Sequence, residues 1–176
     1  MATTQFAVAN SHLQKIQPDI LGFGITDFGD QLQLAENDVL RQIRAEWWER
    51  YRHQVRYKDI TKVTTVEMTD TKLTDSQWIY SVVYMALWKY VYPQLTKWRD
   101  GNTGEGKDAF QVQIDFYRDR YNEEFAQVLK DGVEYDEDGG GPVSDSEKET
   151  LHTGRLVREW LQMLRLKQIQ FKLLSF

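Results

Sequence analysis

At 176 residues, with 41% hydrophobic side chains including 6 Trp, 9 Tyr and 8 Phe, the chain has the length of one domain and is too apolar for a disordered polymer. The absence of cysteine excludes disulfides, thiolate metal sites and a cysteine nucleophile. A net charge of −5 argues against a free-standing binder of the DNA backbone, and the low count of 3 Pro and 11 Gly favours long helices.

In chain order, residues 3–17 read as a first helix with Phe6, Ala7, Leu13 and Ile16 on its apolar side, ended by Pro18. Residues 19–29 form a glycine-punctuated connection whose Leu21, Phe23 and Phe28 call for a surface to lie on. Asp30 is the expected cap of a second helix, in which Leu32, Ala35, Val39, Ile43 and Trp47 recur at helical spacing until about residue 52. Residues 56–70 are rich in threonine, valine and isoleucine, which lose rotamer freedom in helices, and predict an extended, β-like arm or small hairpin. A lone hairpin is marginal in water, so such an arm needs something to lie on.

Thr74 and Gln77 form a capping box, and Leu73 with Trp78 a hydrophobic staple, at the start of a third helix. Its core, WIYSVVYMALWKYVY from Trp78 to Tyr92, is interrupted only by Ser81 and Lys89. A helix apolar on nearly every side is buried on nearly every side. One small domain does not easily wrap it, which makes Trp78, Tyr84, Trp88 and Tyr92 candidates for a subunit interface. Pro93 ends or kinks it, and residues 99–107 read as a mobile polar loop. A fourth helix carries Phe110, Ile114, Tyr117, Tyr121, Phe125 and Val128, with Gly132 placed as its stop. Phe110, Val112, Ile114 and Phe116 also alternate like a strand, but the helical period persists far longer.

Residues 131–149 hold 8 acidic residues against one lysine, around a glycine triplet and Pro142. Glu134, Asp136, Asp138, Gly139 and Asp145 fall at positions one, three, five, six and twelve of a calcium-binding loop. Glu134 is longer than the aspartate wanted at position one, Gly141 stands where an apolar residue belongs, and Asp145 is short for bidentate binding. The favoured reading is a solvated, self-repelling loop without metal. His12, His53 and His152 stand in no pairing with a serine or carboxylate, so neither catalysis nor a cofactor is expected.

From Arg155 to Phe176 the charge inverts: five basic residues face one acid, and 12 of the 22 residues are apolar. Three readings stay open: a last helix packed on the body, a docking segment for another protein, or an element lying on an anionic membrane. No stretch predicts a membrane span or a secretory leader.

The order of these features resembles the head-to-tail adaptor (connector) proteins of tailed bacteriophages. The likeness rests on ALWKYVYPQL at residues 86–95, FYRDRYNEEF at residues 116–125 and the basic C-terminal stretch. It implies a mainly α fold: a helical bundle over 1–150 with the short arm near 56–70 and the acidic loop, then a protruding C-terminal segment, 151–176. It also implies a homo-oligomeric, dodecameric ring in the virion neck, assembled in the host cytoplasm, with no membrane contact. The ring sits between portal protein and a downstream tail or neck protein, and DNA passes its lumen without specific binding. In that family the C-terminal segment inserts among portal subunits. By placement this carries onto Arg155, Leu156, Arg158, Trp160, Leu161, Leu164, Ile169, Phe171, Leu174 and Phe176. The alternatives are another neck component, such as a stopper or tail terminator, or a small regulatory protein-binding module.

Overall fold

The structure is a computed structural model and describes residues 5–58, 67–99 and 105–143. Among these residues it is helical throughout, apart from turns and one isolated antiparallel bridge between Leu73 and Tyr135. Among the described residues there are four helices. Helix α1 is Asn10–Ile16. Helix α2 spans 29–58 and runs Gly29–Ile43, a π turn Arg44–Trp48, then Glu49–Lys58. Helix α3 spans 75–99 and runs Asp75–Ala86, a π turn Leu87–Val91, then Tyr92–Arg99. Helix α4 is Glu105–Asp131.

The π turns follow from the hydrophobic spacing. In α2 the buried residues Ala35, Val39, Ile43, Trp47 and Tyr51 recur every four positions. In a helix of 3.6 residues per turn each such step rotates the stripe by about 40°. One wider turn absorbs part of that drift and keeps Trp47, Trp48 and Tyr51 on the buried side. Helix α3 does the same through Val82, Ala86, Val91 and Leu95. Its π turn also prepares the chain for Pro93: Tyr92 donates its N–H to Leu87 O, and the helix continues through the proline to Arg99 instead of ending.

Helix α3 is the centre, packed against α2 on one side and α4 on the other, with α1 also against it. Side-chain pairs fix the directions. Gln31 meets Gln94, Asp38 meets Lys89 and Tyr90, and Arg44 meets Asp70, so α2 and α3 are antiparallel. Trp78 meets Phe125 and Tyr92 meets Tyr117, so α3 and α4 are antiparallel as well. The core is one cluster running from Phe6 and Leu13 through Ile43, Val82 and Leu87 to Tyr121 and Val133.

Several local expectations are corrected. The first helix begins at Asn10, not residue 3. Ahead of it the backbone N–H groups of Gln5 and Phe6 are held by the Glu36 carboxylate, and Ala7 adopts φ 51°, which no helix tolerates. Asp30 lies inside the first turn of α2; the side chains receiving the N–H groups at that end are Asp27, from Gly29, and Asn10, from Phe28. Thr74 does cap α3 by position, but without a side-chain bond, and Gln77 reaches across to residues 132–134 rather than back. Helix α2 outlasts its expected end, because residues 49–58 are mostly arginine, lysine, glutamate and glutamine, which favour helix. Residues 56–58 of the expected arm are therefore its last turn, and Asp70–Lys72 is a 3-10 turn. The centre of the arm, 59–66, lies outside the described residues. The polar loop expected at 99–107 is helical at its start and from Glu105 onward. Gly132 stops α4 as expected: at φ 105° it donates its N–H to Val128 O, a backbone state that costs other residues strain. The apolar connection 19–29 lies on its own core, with Ile20 and Phe28 fully buried.

Candidate interaction surface

The aromatic residues of α3 are mostly consumed by α4. Ring centroids lie 5.6 Å apart for Trp78 and Phe125, 5.8 Å for Trp88 and Tyr121, 6.3 Å for Tyr84 and Tyr117, and 5.4 Å for Tyr92 and Tyr117. Burial pushes the phenols of Tyr92, Tyr117 and Tyr121 above their ordinary value, so these hydroxyls stay neutral. All four residues expected at a subunit interface thus have ring partners within the chain. Trp78 and Tyr92 are buried inside the chain and have no surface to offer a neighbour, while Tyr84 and Trp88 are half-buried against α4. The physical reason is that α3 is sandwiched between two long helices of its own chain.

What remains exposed is a different set. Leu34 on α2 is 49% exposed, and on α3 and α4 Tyr80 is 44% exposed, Phe116 48% and Val112 65%. Tyr80 stands 6.4 Å from Tyr84, Tyr84 stacks on Tyr117, and Phe116 meets Tyr117 edge-on at 5.1 Å, so the rings are continuous from buried to exposed. Val112 and Phe116 are one helical turn apart on α4. The Arg120 guanidinium lies 5.4 Å from the Phe116 centroid and is held at 3.1 Å by Glu123. Burial raises the Tyr84 phenol; Glu124 adds to this and Arg120 opposes it, which places both charges beside the ring. Asp115 and Asp119 hold Arg118 farther round the helix. An apolar stripe with a mixed, acid-rich border binds by burial and orients by charge. Sequence reasoning missed it, because Tyr80, Val112 and Phe116 fall off the stripe that fills the core.

Elsewhere the polar groups are spent on holding the body together. Asp38 accepts from Lys89 at 2.6 Å, Tyr90 at 2.5 Å and Arg41 at 3.1 Å. Burial pushes its carboxyl up, but the three donors outweigh it and leave it below the usual range. Burial and Asp38 push Tyr90 up to about 12. Glu36 is buried, and its carboxyl is raised by burial, partly offset by the N–H groups of Gln5 and Phe6, with Asp75 and Asp70 adding repulsion.

The acidic loop is only half as expected. Its first part is docked: Val133 and Tyr135 are buried, Thr74 N–H donates to Glu134 O, and Asp136 N–H donates to Lys72 O. Both Asp136 oxygens accept glycine N–H groups, from 139, 140 and 141, and the first effect of these bonds is to lower its carboxyl. Among the described residues no three acidic or histidine side chains gather as a metal site. Asp145 lies outside them.

His12 accepts the Ala9 N–H on Nδ1 at 3.1 Å, and His53 is exposed, 3.9 Å from Glu49. His152 lies outside the described residues, as does the whole set from Arg155 to Phe176 expected to dock on portal. No described helix is long and apolar enough to cross a membrane. No family model, curated protein or solved structure matches the chain.

Proposed function

We propose that the chain is a structural subunit of a tailed-bacteriophage neck, a head-to-tail adaptor forming a ring between portal and tail. One observation carries this reading: a body whose large apolar residues are nearly all buried still has apolar residues to spare, on the Tyr80–Val112–Phe116 stripe. The sequence adds a second surplus in Arg155–Phe176, with 12 apolar residues of 22. Titratable side chains in the body serve packing and helix docking, as at Asp38 and Glu36. In this reading the terminal segment binds portal, DNA passes the lumen, and the acidic balance of the chain lets phosphate slide rather than hold. Modest contacts repeated around a ring suffice for a stable assembly.

The test is particle imaging and light scattering of the protein, alone and mixed with portal. A closed ring, or a stoichiometric ring on portal, is the expected result. A monodisperse monomer in both samples overturns the reading, and a monomer that captures a single peptide chain favours a regulatory binding module instead.

A further inference from the structure

The exposed stripe and the terminal segment are complementary in two independent respects. The first is polarity: Tyr80, Val112 and Phe116 have no cover among the described residues, and the segment is more than half apolar. Two such surfaces left in water are each an aggregation hazard. The second is charge. Residues 111–131 of α4 carry five acids and three bases, while residues 155–176 carry five bases and one acid. Glu124, beside Tyr84, has no ion-pair partner among the described residues.

The segment belongs to the same chain as the stripe and follows it on a long tether. The loop after α4 begins at Gly132, and the eleven residues 144–154 separate its described part from Arg155. Extended, they span about 36 Å. The tether starts after Val143, at the end of a loop whose residues 133–137 lie on Leu73 and Tyr51.

We infer that residues 155–176 seat on the Tyr80–Val112–Phe116 stripe of their own chain, so that the free protein carries its docking segment covered. A larger partner then competes for the segment, and the stripe is uncovered when the segment leaves. The inference does not require that partner to be a portal.

The chain has no cysteine, so a single label site can be introduced in the whole 176-residue chain. Val112→Cys is suited to it, because the side chain is 65% exposed. A nitroxide there should remove most of the amide signal intensity from residues 155–176 in a nuclear magnetic resonance spectrum. The same label at exposed Ala45, on α2, should leave those signals intact. Adding Phe116→Glu to the Val112→Cys chain should restore the lost signals, and should that substitution disturb the body, raising the salt concentration should restore them in part. Mixing nitroxide-labelled, isotope-free chains with isotope-labelled, nitroxide-free chains tests the occupant. Signal loss in the mixed sample equal to that within one chain assigns the stripe to a second copy and overturns the inference. Equal loss from both label positions, or no loss from either, overturns it as well. No portal is present, so this result is independent of the proposed ring.

Discussion

Two aromatic regions of this molecule have nearly the same composition and opposite fates. At the far end of α2, Trp47, Trp48 and Tyr51 gather around Tyr135, with Trp47 and Trp48 centroids 5.5 and 5.3 Å from the Tyr135 ring, and all four are buried. On the outer side of α3 and α4, Tyr80, Tyr84, Phe116 and Tyr117 make a comparable chain of rings, yet Tyr80 and Phe116 stay about half exposed. The difference is cover. The first cluster is closed by a short segment, 133–137, that the chain lays across it and fastens at Leu73. Aromatic content alone therefore says nothing about which rings face water; the connection that follows each helix decides.

The largest expected effect breaks the covered side. Tyr135→Ala removes the ring shared by Trp47, Trp48 and Tyr51, and deleting a large buried aromatic costs about 3–5 kcal/mol. Urea unfolding should show the unfolding free energy lowered by that amount and the midpoint lowered with it, with tryptophan emission shifted toward that of exposed indole. A midpoint close to wild type would mean that 133–137 is not the cover.

The fastening can be tested more gently. Gln77 donates to Gly132 O at 2.8 Å and accepts from Glu134 N–H at 2.9 Å. Gln77→Leu keeps the volume and leaves both backbone groups unpaired, which should cost about 1–3 kcal/mol. Hydrogen exchange should show the Glu134 amide losing protection before any amide of α4 does.

The contrast also explains what the sequence made legible. The four helices, and the buried faces of α2 and of α4 from Tyr117 onward, follow from apolar spacing, because core packing imposes a period that residues such as Leu32, Val39, Tyr121 and Phe125 satisfy. The cover is not periodic. Tyr135 sits in an acidic, glycine-rich run whose charge suggested a solvated loop, and nothing local marks it as a core residue. Gln77 looked like a local cap because Thr74 precedes it at the right distance, yet its amide serves a segment 55 residues away. The interface residues expected on α3 carry a related lesson: an all-apolar helix reports how much cover it has, not whether that cover comes from the same chain.

A further covered place is the N-terminal segment, held over α2 by Glu36. Here the effect depends on pH. Burial raises the Glu36 carboxyl above its ordinary 4.5 in the folded chain. Folding therefore favours the protonated acid. The stabilisation is complete below the unfolded value and is lost as pH rises through the folded one. Wild-type stability should thus fall from mildly acidic toward neutral buffer by the Glu36 contribution, and Glu36→Gln, which cannot ionise, should lack that component. Equal pH slopes for the two proteins in denaturant unfolding would show that Glu36 stays ionised and that the N–H groups of Gln5 and Phe6 outweigh its desolvation.

The smallest expected effect lies on the open side and is the sharpest form of the comparison. Phe116 has a ring of the same kind as those that close the covered cluster, but it is 48% exposed and leans on Tyr117 from outside. Replacing it with serine removes little buried surface, and surface substitutions away from special features stay within about 0.5 kcal/mol. The Tyr117 contact it gives up is edge-on, and Tyr117 keeps its stacking on Tyr84 and Tyr92. The unfolding midpoint of Phe116→Ser should therefore match wild type, whereas a Tyr135 truncation at the other end does not. Association is where the two exchange rank. If the stripe is the seat of an apolar partner, Phe116→Ser weakens that contact while the body stays intact, and Tyr135→Ala affects association only through the folded fraction. A Phe116→Ser protein that unfolds as early as Tyr135→Ala would show the ring to be part of the core, and the stripe would lose its standing as a surface.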